Sequence, residues 1–442
     1  MKLYWVCTLG LVFIGSTIGA PGAAALNAPH PLRHAKTAEP HLVESHRAAG
    51  RHAAAAQTAR PTAKSARARA GAKSASARSK SKAEPARLTA RGRSRASLRR
   101  AALTTRHHRF SERFTASSFA NGDIFADDVT AGEDPVVRQA AIDALDGMNG
   151  TAVVINPANG RILAMVNQKL ALSPGAEPCS TIKITVAMAA LSEGLVTRDT
   201  PVQLSGFRMN MTEALAHSNN LYFEELGREL GFQRVRHYAN EFGLGELAGY
   251  HIQGEQLGVY PDKELPASEG GVGRMSSFGQ GVSLTPLQLG AYVAAIANGG
   301  TLYYLQHPTT QEEAATLEPK VKRTLDIAKY IPDLQDGMAG SVEYGTARRL
   351  RANFNELPVF GKTGTCSDKG TRFGWFASYS DSPQGSLVTV FFLEGGRPTF
   401  GPRAAELTGV FYKNLWDRNY FVPKNSQQAE ADPAAPPTQA HP

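Results

Sequence analysis

The 442-residue chain predicts an α/β fold whose mainly antiparallel sheet is assembled from both ends of one folded region. Three observations predict it. Near residue 150, the apolar runs TAVVINP and RILAMVNQ flank Ala158-Asn159-Gly160, a strong hairpin signal. Near residue 370, the run KTGTC, preceded by LPVFG, is followed by GWFASYS and SLVTVFFLE. The last two are separated by the turn residues DSPQG, so consecutive antiparallel strands are expected. Between these ends lie stretches with helical periodicity and helix end signals.

The elements follow in order. Residues 1–26 carry a single Lys2, then the apolar LYWVCTLGLVFIG, then small residues, which is the pattern of a secretory signal or an uncleaved signal anchor. Residues 27–115 are a linker rich in Ala, Arg, Lys and Ser. Its first 84 positions, 27–110, hold 20 Lys/Arg against three Glu, a net of +17, whereas residues 111–442 are net −9. With few large apolar side chains this linker buries too little surface to fold, so a disordered spacer is expected. Its charge also suits a contact with a membrane surface or an anionic wall polymer. Nucleic acid is not an expected partner, because export places the linker in the wrong compartment. The single folded domain is expected over 116–425, with a polar Ala/Pro-rich tail at 426–442.

Within that domain, ITVAMAAL continues an apolar helix after Lys183, and Glu193-Gly194 ends it. MTEALAH and LYFEELGREL are two helical stretches joined at Ser218-Asn219-Asn220, where Asn219 is read as a helix cap. Thr285 is a good N-cap with Pro286 at the first helical position, and Asn298-Gly299-Gly300 ends that helix.

Three short elements carry the chemistry: Ser180-Thr181-Ile182-Lys183, Ser218-Asn219-Asn220 and Lys362-Thr363-Gly364-Thr365. They read Ser-x-x-Lys, Ser-x-Asn and Lys-Thr-Gly. A serine hydroxyl is a poor nucleophile until a base takes its proton. Three residues apart on a helix, Ser180 and Lys183 share a face one turn apart. Lys183 becomes a base only if its pKa falls, and burial and a second cation both lower it; Lys362 is that cation. Ser218 is placed to relay a proton and Asn220 to hold a substrate amide. The backbone N–H groups of Ser180 and Thr365 form an oxyanion hole if Lys362–Thr365 lies on an edge strand beside the helix. The hydroxyls of Thr363 and Thr365, with Gly364 between them, are expected to meet a substrate carboxylate together with Lys362.

The three elements in this order are the signature of penicillin-binding proteins and serine β-lactamases. From about residue 134 to 415 the chain resembles a penicillin-binding transpeptidase domain. GTAVVINPANGRILAMVN resembles the opening hairpin of that family, SFGQGVSLTPLQLGAYVAAIANGG the segment before the third motif, and MAGSVEYGTARR its Val-x-x-Gly-Thr-Ala stretch. The resemblance implies an α+β sandwich with helices on both faces of the sheet and a groove between sheet edge and helical lobe. It implies acyl transfer on D-Ala-D-Ala peptidoglycan stem peptides, by transpeptidation or carboxypeptidation, with β-lactams acylating Ser180, outside the cytoplasm and without a cofactor.

The chain departs from the family at Cys179, where glycine is usual; Pro-Cys-Ser-Thr-x-Lys-Ile looks more like class D β-lactamases and related sensor domains. Asn220 argues for the transpeptidases, and a Glu-x-x-Leu-Asn element of the class A kind is not evident. A class D-like β-lactamase and a non-turnover sensor or scaffold domain stand as the alternatives. Cys179 and Cys366 are expected as two small buried thiols, with pairing in an oxidising compartment as the alternative. The sequence suggests no metal site; seven of the 12 histidines fall in the basic linker, five of them (His30, His34, His41, His46 and His52) near its start.

Overall fold

The computed structural model describes residues 115–422. The expected signal segment, the C-terminal tail and all of the basic linker except Thr115 lie outside the described residues. The strands are β1 (Gly150–Asn156), β2 (Arg161–Val166), β3 (Val202–Leu204), β4 (Phe207–Met209), β5 (Thr301–Tyr303), β6 (Val321–Thr324), β7 (Val359–Asp368), β8 (Thr371–Ser380) and β9 (Leu387–Gly395). The helices are α1 (Pro135–Leu145), α2 (Gln168–Ala171), α3 (Ile182–Ser192), α4 (Met211–Ala216), α5 (Asn220–Leu230), α6 (Phe232–Glu241), α7 (Gly271–Phe278), α8 (Pro286–Ala297), α9 (Gln311–Ala315), α10 (Ile331–Glu343) and α11 (Gly401–Asp417).

The main sheet has five strands in the order β2-β1-β9-β8-β7, and each neighbouring pair is antiparallel. The N-terminal hairpin thus pairs with the C-terminal strands, as the sequence predicts. Gly160 makes that hairpin's turn. Its φ is +75°, and a Cβ there would stand 2.6 Å from the Tyr304 carbonyl oxygen, so no other residue fits without a shift. The β3–β4 and β5–β6 pairs form small separate ribbons.

Side chains alternate across each strand, and the alternation divides the core in two. Val153, Ile155, Trp375, Ala377, Tyr379, Val388, Val390 and Phe392 face one apolar cluster, shared with residues of α3, α5, α6 and α8. Ala152, Val154, Phe376, Leu387, Phe391 and Leu393 face the other, covered by α1 and α11. Helices therefore flank both faces. Burial on both sides explains why these strands read as continuous apolar runs.

The helix starts follow the chemistry of their first residues. The Asp134 carboxylate accepts from the Val136 and Val137 amides at the start of α1, with Pro135 at the first position. At α8 the Thr285 hydroxyl accepts from the Gln288 amide while the Gln288 side chain accepts from the Thr285 amide, a complete capping box. Helix α3 has a different character. Residues Ile182–Leu191 are all buried, so it passes through the core with no solvated face. Among the described residues no helix is long and apolar enough to cross a membrane.

One buried polar network ties the hairpin to the helices. Glu133, 2% exposed, accepts from Arg138 Nη1 at 2.9 Å and from the Met165 amide at 3.0 Å, and its Oε1 lies 2.9 Å from His307 Nε2. Removing a carboxylate that several buried donors share leaves them unpaired. Glu133→Ala is therefore expected to lower unfolding free energy by about 3 kcal/mol, measured by urea denaturation. A loss near that of an exposed glutamate substitution would show that the network is dispensable.

Candidate active site

Ser180 sits on a short 3₁₀ turn, Cys179–Thr181, that runs directly into α3. Lys183 lies one turn on, within the fully buried helix, and is itself 0% exposed. Its Nζ is 2.8 Å from Ser180 Oγ, 2.8 Å from Asn220 Oδ1 and 2.6 Å from the Ser277 carbonyl oxygen. The rings of Phe223 and Phe278 stand 5.7 Å from the same nitrogen. Burial, reinforced by the charge of Lys362, holds the Lys183 ammonium well below the usual lysine range, with Glu224 opposing.

Ser218 and Asn219 occupy the turn between α4 and α5. Asn219 is the N-cap of α5, its Oδ1 accepting from the Tyr222 amide at 3.0 Å. The cap fixes the start of α5 and so delivers Asn220, its first residue, to Lys183. Ser218 takes a left-handed backbone, φ +55°. Lys362 lies on edge strand β7, 0% exposed, and donates to the Thr363 carbonyl at 3.1 Å. Burial pushes its pKa down to about 7.

The third motif approaches Ser180 through a glycine. A Cβ on Gly364 would stand 2.8 Å from the Pro178 carbonyl oxygen and 3.1 Å from Thr181 Cγ2, so only glycine lets β7 come this close to the Ser180 turn. A Cβ on Gly401, at the start of α11, would likewise stand 2.7 Å from the Gly364 carbonyl oxygen.

The two threonines separate. Thr365 is exposed and its Oγ1 accepts from the Gly401 amide at 2.8 Å. Thr363 is 4% exposed, and its hydroxyl lies 2.6 Å from that of Thr346. That contact links β7 to the residues after α10. Thr346 belongs to the Gly-Thr-Ala stretch that the sequence singled out without a role.

The two cysteines correct an expectation. Cys179 and Cys366 form a disulfide with Cα atoms 5.6 Å apart, rather than two free buried thiols. Local spacing gives no sign of this, because 187 positions separate them and only the packing of the Ser180 turn on β7 unites them. Trp375 Nε1 adds a second tie, donating to the Glu177 carbonyl at 3.0 Å. Burial raises the Glu177 carboxyl, Asp368 adds to the rise and Arg274 opposes it. The Ser277 carbonyl was missed in the sequence because a backbone acceptor has no residue signature; the SFGQG segment beside it was the available signal. Arg274 Nε donates to Gln280 Oε1 at 3.3 Å, consistent with a structural role for that glutamine. Among the described residues no group of acidic, His or Cys side chains could hold a metal ion.

Residues 150–408, more than half of the chain, match the family model described as penicillin binding protein transpeptidase domain. The chain belongs to the penicillin-binding-protein transpeptidase family. Its transpeptidase domain is 31% identical over 335 residues to stage V sporulation protein D of Bacillus subtilis, covering 64% of this chain and 51% of that protein. It is 23% identical over 361 residues to peptidoglycan D,D-transpeptidase MrdA of Haemophilus influenzae, covering 63% and 55%. The chain thus spans about half the length of these curated relatives. Pseudomonas aeruginosa PBP2 in complex with WCK 5153 has the same fold, with a TM-score of 0.55 at 22% identity over 66% of this chain and 76% of that one. So does the transpeptidase domain of Burkholderia pseudomallei penicillin-binding protein 3, with a TM-score of 0.56 at 19% identity over 67% and 97%.

The lowered lysines make folding stability depend on pH. Folded, Lys362 loses its proton near pH 7; unfolded, a lysine does so near ~10.4. Between these values the unfolded chain binds more protons, so stability rises with pH. Lys362→Met removes this contribution. The melting temperature of the native protein should climb more steeply between pH 7 and about 9 than that of the variant; parallel curves would mean that Lys362 keeps its full proton affinity when folded.

Proposed function

We propose that this transpeptidase domain transfers the acyl group of D-Ala-D-Ala stem peptides through Ser180, with an amine of a neighbouring stem as the acceptor. The observation that carries the reading is the environment of Lys183. A neutral amine has two N–H donors and one lone pair. With the donors directed at Asn220 Oδ1 and the Ser277 carbonyl, the lone pair faces the Ser180 hydroxyl 2.8 Å away. Burial beside Lys362 favours that neutral state. The arrangement is that of a base poised on a nucleophile.

In this mechanism Lys183 takes the Ser180 proton as Oγ attacks the penultimate carbonyl. The oxyanion that forms is held by the backbone N–H groups of Ser180 and Thr365. Asn220, its oxygen engaged by Lys183, offers its N–H donors to the substrate amide. The proton passes through Lys183 and Ser218 to the departing D-alanine amine, leaving a Ser180 ester. The acceptor amine then attacks the ester carbonyl, giving up a proton to Lys183, and the new amide leaves Ser180 free. Water in place of the amine would make the same site a carboxypeptidase. Lys362 and the exposed Thr365 receive the terminal carboxylate, which in turn favours the charged state of Lys362. β-Lactams enter as acylating mimics of the same peptide.

Export fits this reading. The apolar start at residues 1–26 supplies a signal or anchor, the basic linker a spacer, and the Cys179–Cys366 bridge presupposes an oxidising compartment.

Labelling with a fluorescent penicillin tests the proposal. The native protein should retain its label for many minutes and Ser180→Ala should take none. Lys183→Met should acylate at least about a thousandfold more slowly, as for other activated-serine units. The acylation rate should rise with pH through the lowered pKa of Lys183. A label lost within seconds with consumption of antibiotic would instead mark a β-lactamase, and no label on folded protein would mark a scaffold.

A further inference from the structure

The nucleophile turn contains a contradiction that the disulfide resolves. Cys179, immediately before Ser180, has φ +52°, a left-handed backbone that glycine adopts freely and a side chain with a Cβ resists. The residue is nonetheless a cysteine, 0% exposed, and its sulfur is bonded to Cys366. Cys366 directly follows Thr365 on β7. The bridge therefore joins the neighbours of the two residues whose N–H groups form the proposed oxyanion hole.

The strand it grips has freedom to lose. β7 is an edge strand, hydrogen-bonded along β8 alone within the sheet. Its other flank meets the Ser180 turn through the Gly364 approach and the bridge. The turn is also held by Trp375 Nε1 on the Glu177 carbonyl and by Thr181 Oγ1, which donates to the Pro178 carbonyl at 2.7 Å. The Thr181 amide donates to the same carbonyl at 3.1 Å and closes the turn across residue 179, and the bridge is the tie that holds residue 179 through its own side chain.

We propose that Cys179 and Cys366 are positioning residues of acyl transfer: their disulfide pins the left-handed turn at residue 179 and thereby sets the spacing of the Ser180 and Thr365 N–H groups. Without the bridge, residue 179 relaxes toward right-handed torsions and the nucleophile turns away from β7. The substrate still binds, because the Lys362, Thr365 and Asn220 side chains remain to hold it, but the oxyanion loses its paired donors. A displacement of about 1 Å in such a site slows reaction on the order of a hundredfold. The inference rests on the acyl-transfer reading.

The experiment uses the full chain and separates binding from the acylation step with a fluorescent penicillin, well below the melting temperature of every form. Three forms are compared with the oxidised protein: protein reduced by a water-soluble phosphine, which adds no competing thiol; Cys179→Ser/Cys366→Ser; and Cys179→Gly/Cys366→Ser. The first two should acylate roughly ten- to a hundredfold more slowly with penicillin affinity little changed. The glycine variant should recover to within about threefold of the oxidised rate, because glycine takes the left-handed torsion unaided. If the crosslink merely stabilises the fold, its loss would lower the melting temperature of all three forms and leave the acylation step alone. Undiminished acylation after reduction, or a glycine variant no faster than the serine one, would overturn the inference while leaving acyl transfer intact. Absence of labelling in the folded oxidised protein would overturn acyl transfer and the inference with it. Should the double variants fail to fold, reduction of the native protein decides on its own.

Discussion

The site depends on keeping one ammonium group out of water. Lys183 lies on a helix that is buried on every side, so its nitrogen has protein partners alone: Ser180, Asn220 and the Ser277 carbonyl. Burial beside Lys362 disfavours the charged form of that amine. A surface lysine at the same spacing would be cationic. In the proposed acyl transfer the apolar sequence of α3 is therefore part of the chemistry, because it keeps solvent from the amine.

The rest of the fold brings three distant segments to that nitrogen. The α4–α5 turn, shaped by the Asn219 cap, carries Asn220. The C-terminal end of α7 supplies the Ser277 carbonyl and the Phe278 ring. The sheet supplies Lys362 on its edge strand, and edge position matters, since a strand paired on both sides could not face the Ser180 turn. Gly364 allows the approach, the Thr363–Thr346 link holds the strand from the side of α10, and the disulfide closes it onto the nucleophile. A site built this way has a rigid helical wall and one adjustable wall of β-strand, which accounts for the concentration of constraints on β7.

Much of this was legible in the residues. The Ala158-Asn159-Gly160 turn marked the β1–β2 hairpin, and the turn at DSPQG separated β8 from β9, because turn chemistry is local. The helix starts at Thr285 and Asn219 were legible for the same reason. Ser180, Lys183, Ser218, Asn220 and Lys362 were singled out because serine acyl transfer would require those residue types at those spacings, and the fold brings Ser180 and Asn220 to Lys183. Thr363 was less legible. In the motif it looks equivalent to Thr365, and only strand register and the neighbouring Thr346 separate a buried hydroxyl from an exposed one.

The sequence alone determined the elements, their order and the chemical groups, since periodicity, caps and turns act over a few residues. Tertiary structure alone decided what crosses the fold. It set the pairing of Cys179 with Cys366 over 187 positions, the contact of a backbone carbonyl at Ser277 with Lys183, and the depth at which that lysine is buried. Each of these depends on the distance between segments that share no local pattern. Such distances are set by the packing of α3 against α5 and α7 and of the Ser180 turn on β7, which no local stretch of sequence encodes.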